Sequence, residues 1–285
     1  KHFHGWMRQP SLRTIQQTLE DSMRPLLGQR VRIVPAGRTD AGVHALAQVC
    51  QFDAVLGDLE VEVLASLFNA ALPSDVAVRA VEVAEPGFNV MVTLWKRYVY
   101  RIAGSVEEVQ GFCDHVTQDS PGVAGGKVDS LRMSEAASFL LGTHDFAAFQ
   151  SRGGRESTVR TMYRCEVFND LQGLRIVMEA DGFLMHMCRI LAGTLVEVGC
   201  GRRAASHVLD LIASGKRCNA GPTLPAGGLC LEHVEHARQW SRALSESISI
   251  AVVELPPLQG KPTSAGAFTA DFSPRQLPTL QKTGG

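Results

Sequence analysis

The chain lacks the marks of several large function classes. No apolar run approaches the roughly 20 residues that a spanning helix needs, so it reads as a soluble protein. Neither charge sign is in excess: 28 Lys and Arg face 29 Asp and Glu, for a formal net charge of -1. That balance argues against a nonspecific polyanion binder, although a local basic cleft is compatible with it. The seven cysteines are odd in number and none forms a C-x-x-C pair. Cys50, Cys165 and Cys188 sit inside apolar patterns and read as buried free thiols. A reducing compartment follows, cytosol or organelle matrix, without a disulfide framework or structural zinc. There is no P-loop, no G-x-G-x-x-G and no G-x-S-x-G, so nucleotide hydrolysis, dinucleotide redox chemistry and α/β-hydrolase chemistry lack their usual signatures. His233 and His236 form an H-x-x-H pair with no evident third ligand, and a strand would splay them to opposite faces, so no metal site is expected. The chain opens at Lys1 with no initiator methionine and shows no signal peptide, which fits a processed or truncated start.

What is present is enough apolar material, 45% of 285 residues, for one large domain or two ordinary ones. Residues 14–27 predict a helix with Thr14 and Gln17 as a capping box, and Pro25 is expected to frustrate its last turn. Residues 59–72 predict a second helix with Val63, Leu67, Phe68 and Ala71 inward. Helices are also expected over 130–141, 185–198 and 204–213. Strands are expected over 31–34, 45–52, 76–83, 97–103, 158–169, 174–181 and 228–234, the fifth and sixth forming a hairpin. Residues 104–126 read as a loop or insertion and 237–285 as a partly disordered C-terminal extension, leaving α+β segments at 1–103 and 129–236. Grouped rather than alternating elements favour α+β over a doubly wound sheet.

The most informative stretch is Ala36-Gly37-Arg38-Thr39-Asp40-Ala41-Gly42-Val43-His44. A short loop with glycines on both sides can hold a reactive side chain at a fixed point while its backbone passes close to a ligand. Asp40 is the first candidate for chemistry, and Arg38 for holding it ionised or touching an anionic substrate. The same aspartate is also ordinary turn chemistry. Tyr98 on an alternating strand reads as a core aromatic, and Arg189 at the start of an apolar helix as a snorkelling cation. His186 reads as a helix-start residue without a catalytic task, and Phe146 and Phe149 as packing residues. Arg152, Arg155 and Arg160 are either a solvated face or phosphate contacts.

The ordered set Gly5-Trp6-Met7-Arg8-Gln9, the Asp40 loop, Lys96-Arg97-Tyr98-Val99-Tyr100, Asp145-Phe146, Gly182 to Gly199 and Pro225-Ala226-Gly227-Gly228 resembles the TruA-type tRNA pseudouridine synthases. The likeness runs from Gly5 to about Val234, and the loop around Asp40 is its most specific part. It implies two α+β domains with mostly antiparallel sheets merging around an RNA-binding cleft, generally as a homodimer. It implies an isomerase that needs no cofactor, detaches uracil from ribose and rejoins it through carbon, on tRNA, usually in the anticodon arm. Asp40 matches the catalytic aspartate, Tyr98 a tyrosine that stacks on the base, and Arg189 an arginine that pairs with the aspartate. Arg38 matches a residue that holds the nucleotide out of the helix, and RNA contacts are further expected from Arg8, His44, Lys96, Arg97, Arg155 and Arg160. Such an enzyme must flip a base at a cost of a few kcal/mol, of which aromatic stacking returns roughly 1–3 kcal/mol.

Three departures stand out. Only Lys1-His2-Phe3-His4 precedes Gly5, where the family carries a full apolar strand, so residues are missing or a sheet position is filled otherwise. Met7 stands where the family prefers glutamine. The family's Phe-His-Ala-Arg is here Phe88-Asn89-Val90-Met91, which removes a cation expected near the cleft. They motivate a rival reading, an RNA-binding scaffold or ribonucleoprotein assembly factor with little turnover. A protein freed from catalysis has no need for Asp40, Tyr98 and Arg189 together.

Overall fold

A computed structural model describes residues 3–104, 106–117, 128–154, 156–171, 173–236 and 252–254. Its elements form two sheets, each with its own apolar core. The first core lies beneath α1 (Ile15–Leu27) and α2 (Val61–Ala71). Thr14 caps α1, its hydroxyl accepting from Gln17 N–H, while Gly5 and Trp6 carbonyls accept from Ile15 and Gln16 N–H. Three of the helix's four orphan donors are thereby satisfied, two by one short segment and one by the cap. Pro25 does not stop the helix, which runs on to Leu27 and ends at Gly28 in the left-handed region. Pro25 is exposed, so water replaces the bond its missing N–H cannot make. The inward face of α2 is Leu64 and Phe68, with Val63 44% exposed and Ala71 also outward. One residue turns a helix face by about 100°, and contact with the first core, rather than apolar spacing alone, chooses which row faces in.

The strands are β1 (Val34–Pro35), β2 (His44–Ala45), β3 (Gln48–Gln51), β4 (Ala77–Ala80), β5 (Trp95–Ala103), β6 (Gly142–Asp145), β7 (Val159–Asp170), β8 (Gly173–Ala180), β9 (Leu229–Glu235) and β10 (Val252–Glu254). The four-stranded sheet has the order β1-β3-β10-β4, and the six-stranded sheet β2-β9-β5-β8-β7-β6. Only the β2–β9 pairing is parallel among the described strands. The strand expected over 45–52 is two strands in two sheets. β2 pairs with β9, Leu46 N–H donates to Leu231 O, and two residues later β3 pairs with β1 and β10. The chain therefore changes sheets directly after the Asp40 loop. β5, the strand that closes the 1–103 segment, lies at the centre of the six-stranded sheet, between β9 and β8.

Three of the 237–285 residues form β10, between β3 and β4; the rest of that extension lies outside the described residues. The stretch expected to be a loop over 104–126 contains a helix, α3 (Val106–Thr117). Glu107 and Glu108 suit its N-terminal turn, and Val109 and Cys113 bury an i,i+4 pair, a short signal masked by the glycines around it. α4 (Ser130–Ser138) is capped by Asp129, whose carboxylate accepts from Leu131 and Arg132 N–H. The β7–β8 hairpin closes at Asp170 opposite Gly173. α5 (Met187–Gly199) is buried along almost its whole length, and α6 (His207–Ser214) follows. No helix among the described residues is long and apolar enough to cross a membrane.

Candidate active site

Asp40 opens a four-residue turn in which Val43 N–H donates to Asp40 O at 3.1 Å and Gly42 has φ 81°. A positive φ at the third turn position is a type II requirement that glycine meets without strain. The loop is braced from three directions. Gln48 Nε2 donates to Gly37 O at 2.8 Å, and Lys96 Nζ donates to Ala36 O at 2.8 Å. From the third, Trp6 N–H donates to Thr39 O at 3.0 Å. Gly5 packs so closely that a Cβ there would lie 3.0 Å from Thr39 O and 3.1 Å from Ala41 N. The Gly5-Trp6 dipeptide thus serves both the cap of α1 and the floor of the loop.

Arg189 reaches this loop from the first turn of α5. Its Nε donates to Leu224 O at 2.7 Å and its Nη1 to Asp40 Oδ2 at 3.1 Å, across 149 residues of sequence. The arginine side chain is 15% exposed and the carboxylate 35%. Arg189 is therefore no snorkelling residue but a buried fork joining two loops. Leu224 is held against α5 by close backbone packing. A Cβ on Gly193 would lie 2.0 Å from Pro222 O, and Thr194 Oγ1 accepts from Gly221 N–H.

His186 comes to the same oxygen. Its Nε2 lies 3.4 Å from Asp40 Oδ2, and its Nδ1 is 2.8 Å from Ser151 Oγ. Sequence pattern assigns it only a helix-start role. Its i,i+3 spacing to Arg189 was the one available signal, since it puts both on one helix face. Ser151, 35 residues earlier, carries no signal in one dimension.

Tyr98 is a core residue, 7% exposed, edge-on to Phe183 at 5.2 Å between ring centroids. Burial, then the nearby Cys188 thiol and Asp40 carboxylate, hold its phenol protonated far above the usual tyrosine range. It sits beside a bulge in β9: Arg97 pairs with His233 but Tyr98 with Leu231, leaving Glu232 extra. Bulges of this kind re-aim side chains next to active sites.

The other expected contacts divide by what they already hold. Arg38 is exposed and pairs with none of the described residues. Arg8 bridges to Glu20 and Asp21, Arg97 to Glu179, and Arg160 to the Ser157 and Val159 carbonyls. His44 is half-buried in β2, and Lys96 braces the loop; Arg155 lies outside the described residues. Beside Ser151 opens a cavity of about 550 Å³ with Arg152 and Arg217 on its wall and Glu156 opposing them. Where the cation of the family pattern is absent, Asn89 Oδ1 accepts from Met91 N–H and closes a turn that leaves Met91 54% exposed. His233 stacks on Trp95 and pairs with Glu235, and His236 bonds Val90 O. No cluster of three metal-ligating residues occurs among the described residues.

A family model described as tRNA pseudouridine synthase matches residues 1–90 and 136–236. The chain belongs to that family. It is 42% identical over 234 residues to the tRNA pseudouridine synthase A of Myxococcus xanthus, covering 81% of this chain and 86% of that protein. It is 39% identical over 236 residues to the enzymes of the same name from Geobacillus kaustophilus and Geotalea uraniireducens, covering 82% of this chain and 89% and 94% of theirs. The arrangement is a carboxylate 35% exposed, hydrogen-bonded by Arg189, on a loop braced by Gln48, Lys96 and Trp6.

Proposed function

We propose that this protein isomerises uridine to pseudouridine in tRNA, with Asp40 as the catalytic carboxylate. The observation that carries the reading is the contact of Arg189 Nη1 with Asp40 Oδ2 at 3.1 Å, with Asp40 still 35% exposed. The guanidinium fixes one carboxylate oxygen, and partial exposure leaves the group open to a ligand. The reaction breaks the N1–C1′ bond, forms C5–C1′, releases the C5 hydrogen as a proton and leaves a proton on N1, with no net oxidation. Attack at C1′ and removal of a sugar proton both need an ionised acid at this point.

Tyr98 is the stacking partner of the flipped uracil, kept as a neutral phenol by its burial. Arg38, with no described partner, takes the place vacated by the base or holds its phosphate. Arg152 and Arg217 around the cavity beside Ser151 suit the neighbouring RNA backbone. His44, Lys96, Arg97 and Arg160 line the remaining path as weaker contacts, and Arg8 joins by exchanging its acidic partners Glu20 and Asp21 for phosphate. The functional unit is a homodimer acting on the anticodon arm, in a reducing compartment. A scaffold reading gains nothing from the geometry, because RNA binding alone does not need a carboxylate held against a buried arginine. The test is Asp40→Asn, assayed on tRNA carrying tritium at uridine C5. Tritium release should vanish while tRNA affinity and folding stay near wild type. Release at the wild-type rate would remove Asp40 from the chemistry.

A further inference from the structure

His186 is one of two non-glycine residues with positive φ among those described, at φ 61° and ψ 5°. Non-glycine residues adopt that conformation uncommonly, and it persists where surrounding structure over-determines it. The kink has two consequences. The His186 carbonyl accepts from both Arg189 and Ile190 N–H, each at 3.0 Å, which starts α5 with Arg189 in its first turn. The imidazole is swung off the helix toward the Asp40 loop, where it lies between two other side chains.

Ser151 stands on the far side of the ring, 2.8 Å from Nδ1. It is itself tied down, because Ser151 N–H donates to Met185 O at 3.2 Å. A hydroxyl that donates to Nδ1 leaves the proton of a neutral imidazole on Nε2, the nitrogen 3.4 Å from Asp40 Oδ2. Arg189 donates to the same Oδ2. Arg189 thus hydrogen-bonds one carboxylate oxygen and the His186 imidazole faces the same oxygen from 3.4 Å, while no described residue hydrogen-bonds Oδ1. The polarity is the reverse of a serine-hydrolase triad, where the acid sits on Nδ1 and the serine on Nε2. Here the serine sits behind the histidine and the acid faces the opening.

We propose that Ser151 and His186 are positioning residues for the isomerisation: Ser151 fixes the Nε2–H tautomer of His186, which with Arg189 pins Asp40 Oδ2 and presents Oδ1 to uridine. This rests on the function proposed above. The 3.4 Å separation shortens when a base closes the site, as such contacts do on substrate binding.

The experiment compares four variants with wild type for kcat and KM on tritium-labelled tRNA. His186→Asn accepts the left-handed backbone but is too short to reach Asp40; His186→Gln reaches it. The others are Ser151→Ala and the double variant Ser151→Ala/His186→Asn. The Asn variant should lose about 10- to 100-fold in kcat with KM within about twofold, the usual size for outer partners of a reactive group. The Gln variant should recover part of that loss. Ser151→Ala should lose less, and the double variant should be no worse than His186→Asn alone, because the serine acts only through the histidine. Wild-type kcat in His186→Asn, or a loss confined to KM, overturns the proposal. Additive losses in the double variant overturn the role of Ser151. Should His186→Asn fail to fold by circular dichroism, Ser151→Ala leaves the strained backbone untouched and decides alone: unchanged kcat refutes. An inactive wild type would instead refute the function itself.

Discussion

Arg189→Lys isolates the fork from the charge. Arg189 spans two acceptors at once, Leu224 O at 2.7 Å and Asp40 Oδ2 at 3.1 Å. An ammonium is a point donor on a flexible stem and cannot occupy both positions. One hydrogen bond to a charged group is worth roughly 1.5–3 kcal/mol, which is about 10- to 150-fold in rate if the transition state feels it. The pair with Asp40 contributes little to stability, about 0–1 kcal/mol, because that carboxylate is 35% exposed. The Leu224 end is the buried one. A lysine that keeps Leu224 and abandons Asp40 therefore lowers kcat with Tm nearly unchanged. A lysine that keeps Asp40 lowers Tm by roughly 2–4 °C for each kcal/mol lost in a chain of this size. Single-turnover tritium release at saturating tRNA reads the first effect and differential scanning calorimetry the second. A variant with wild-type kcat, or one whose whole loss appears in KM, would refute the claim that Arg189 holds the reacting carboxylate.

Other perturbations test other joints of the site. Arg38→Ala should slow reaction on a paired uridine more than on an unpaired one, since only the first must be flipped; equal losses would sink its role in flipping. Gly5→Ala places a Cβ 3.0 Å from Thr39 O at φ 84°, and overpacking of this kind costs about 1–3 kcal/mol. It should lower both Tm and kcat, although residue 5 touches no substrate, and an unaffected kcat would show that the loop tolerates the shift. Burial pushes the Cys50 and Cys165 thiols from 9.0 up to about 12. At pH 8 an alkylating reagent should modify exposed Cys218 rapidly and these two only on unfolding, as mass spectrometry of peptides would show. Because their folded pKa values are raised, the stability these thiols favour is complete below pH 9 and falls as pH rises toward 12. A stability profile flat over that window would contradict the burial.

Much of the fold was legible because periodicity and caps are local. Thr14 with Gln17, Asp129 before its helix, and the 170–173 hairpin turn each announce themselves within a few residues. Errors fell where a neighbour decided. The glycines around α3 hid a buried Val109–Cys113 row, and Pro25 interrupted nothing because it faces water. On α2, Phe68 faces in as its spacing predicts, but Leu64 takes the place expected of Val63, because the first core and not α2 itself selects the face. The switch of sheets at Leu46 could not be read at all, since no glycine or proline interrupts the run from Ala45 to Phe52.

The sequence alone nominated the side chains proposed for chemistry, the aspartate in its Gly-bounded loop, the tyrosine strand and the apolar helix opening on arginine, because each is a short-range pattern that resembles the family's. Only the tertiary structure decided that Asp40 Oδ2 meets Arg189 and His186, that Ser151 stands behind the histidine, and that Lys96 braces the loop. Those contacts join residues 35 to 149 positions apart. Their geometry depends on how two sheets and a buried helix close on one another, and spacing along a chain does not encode that.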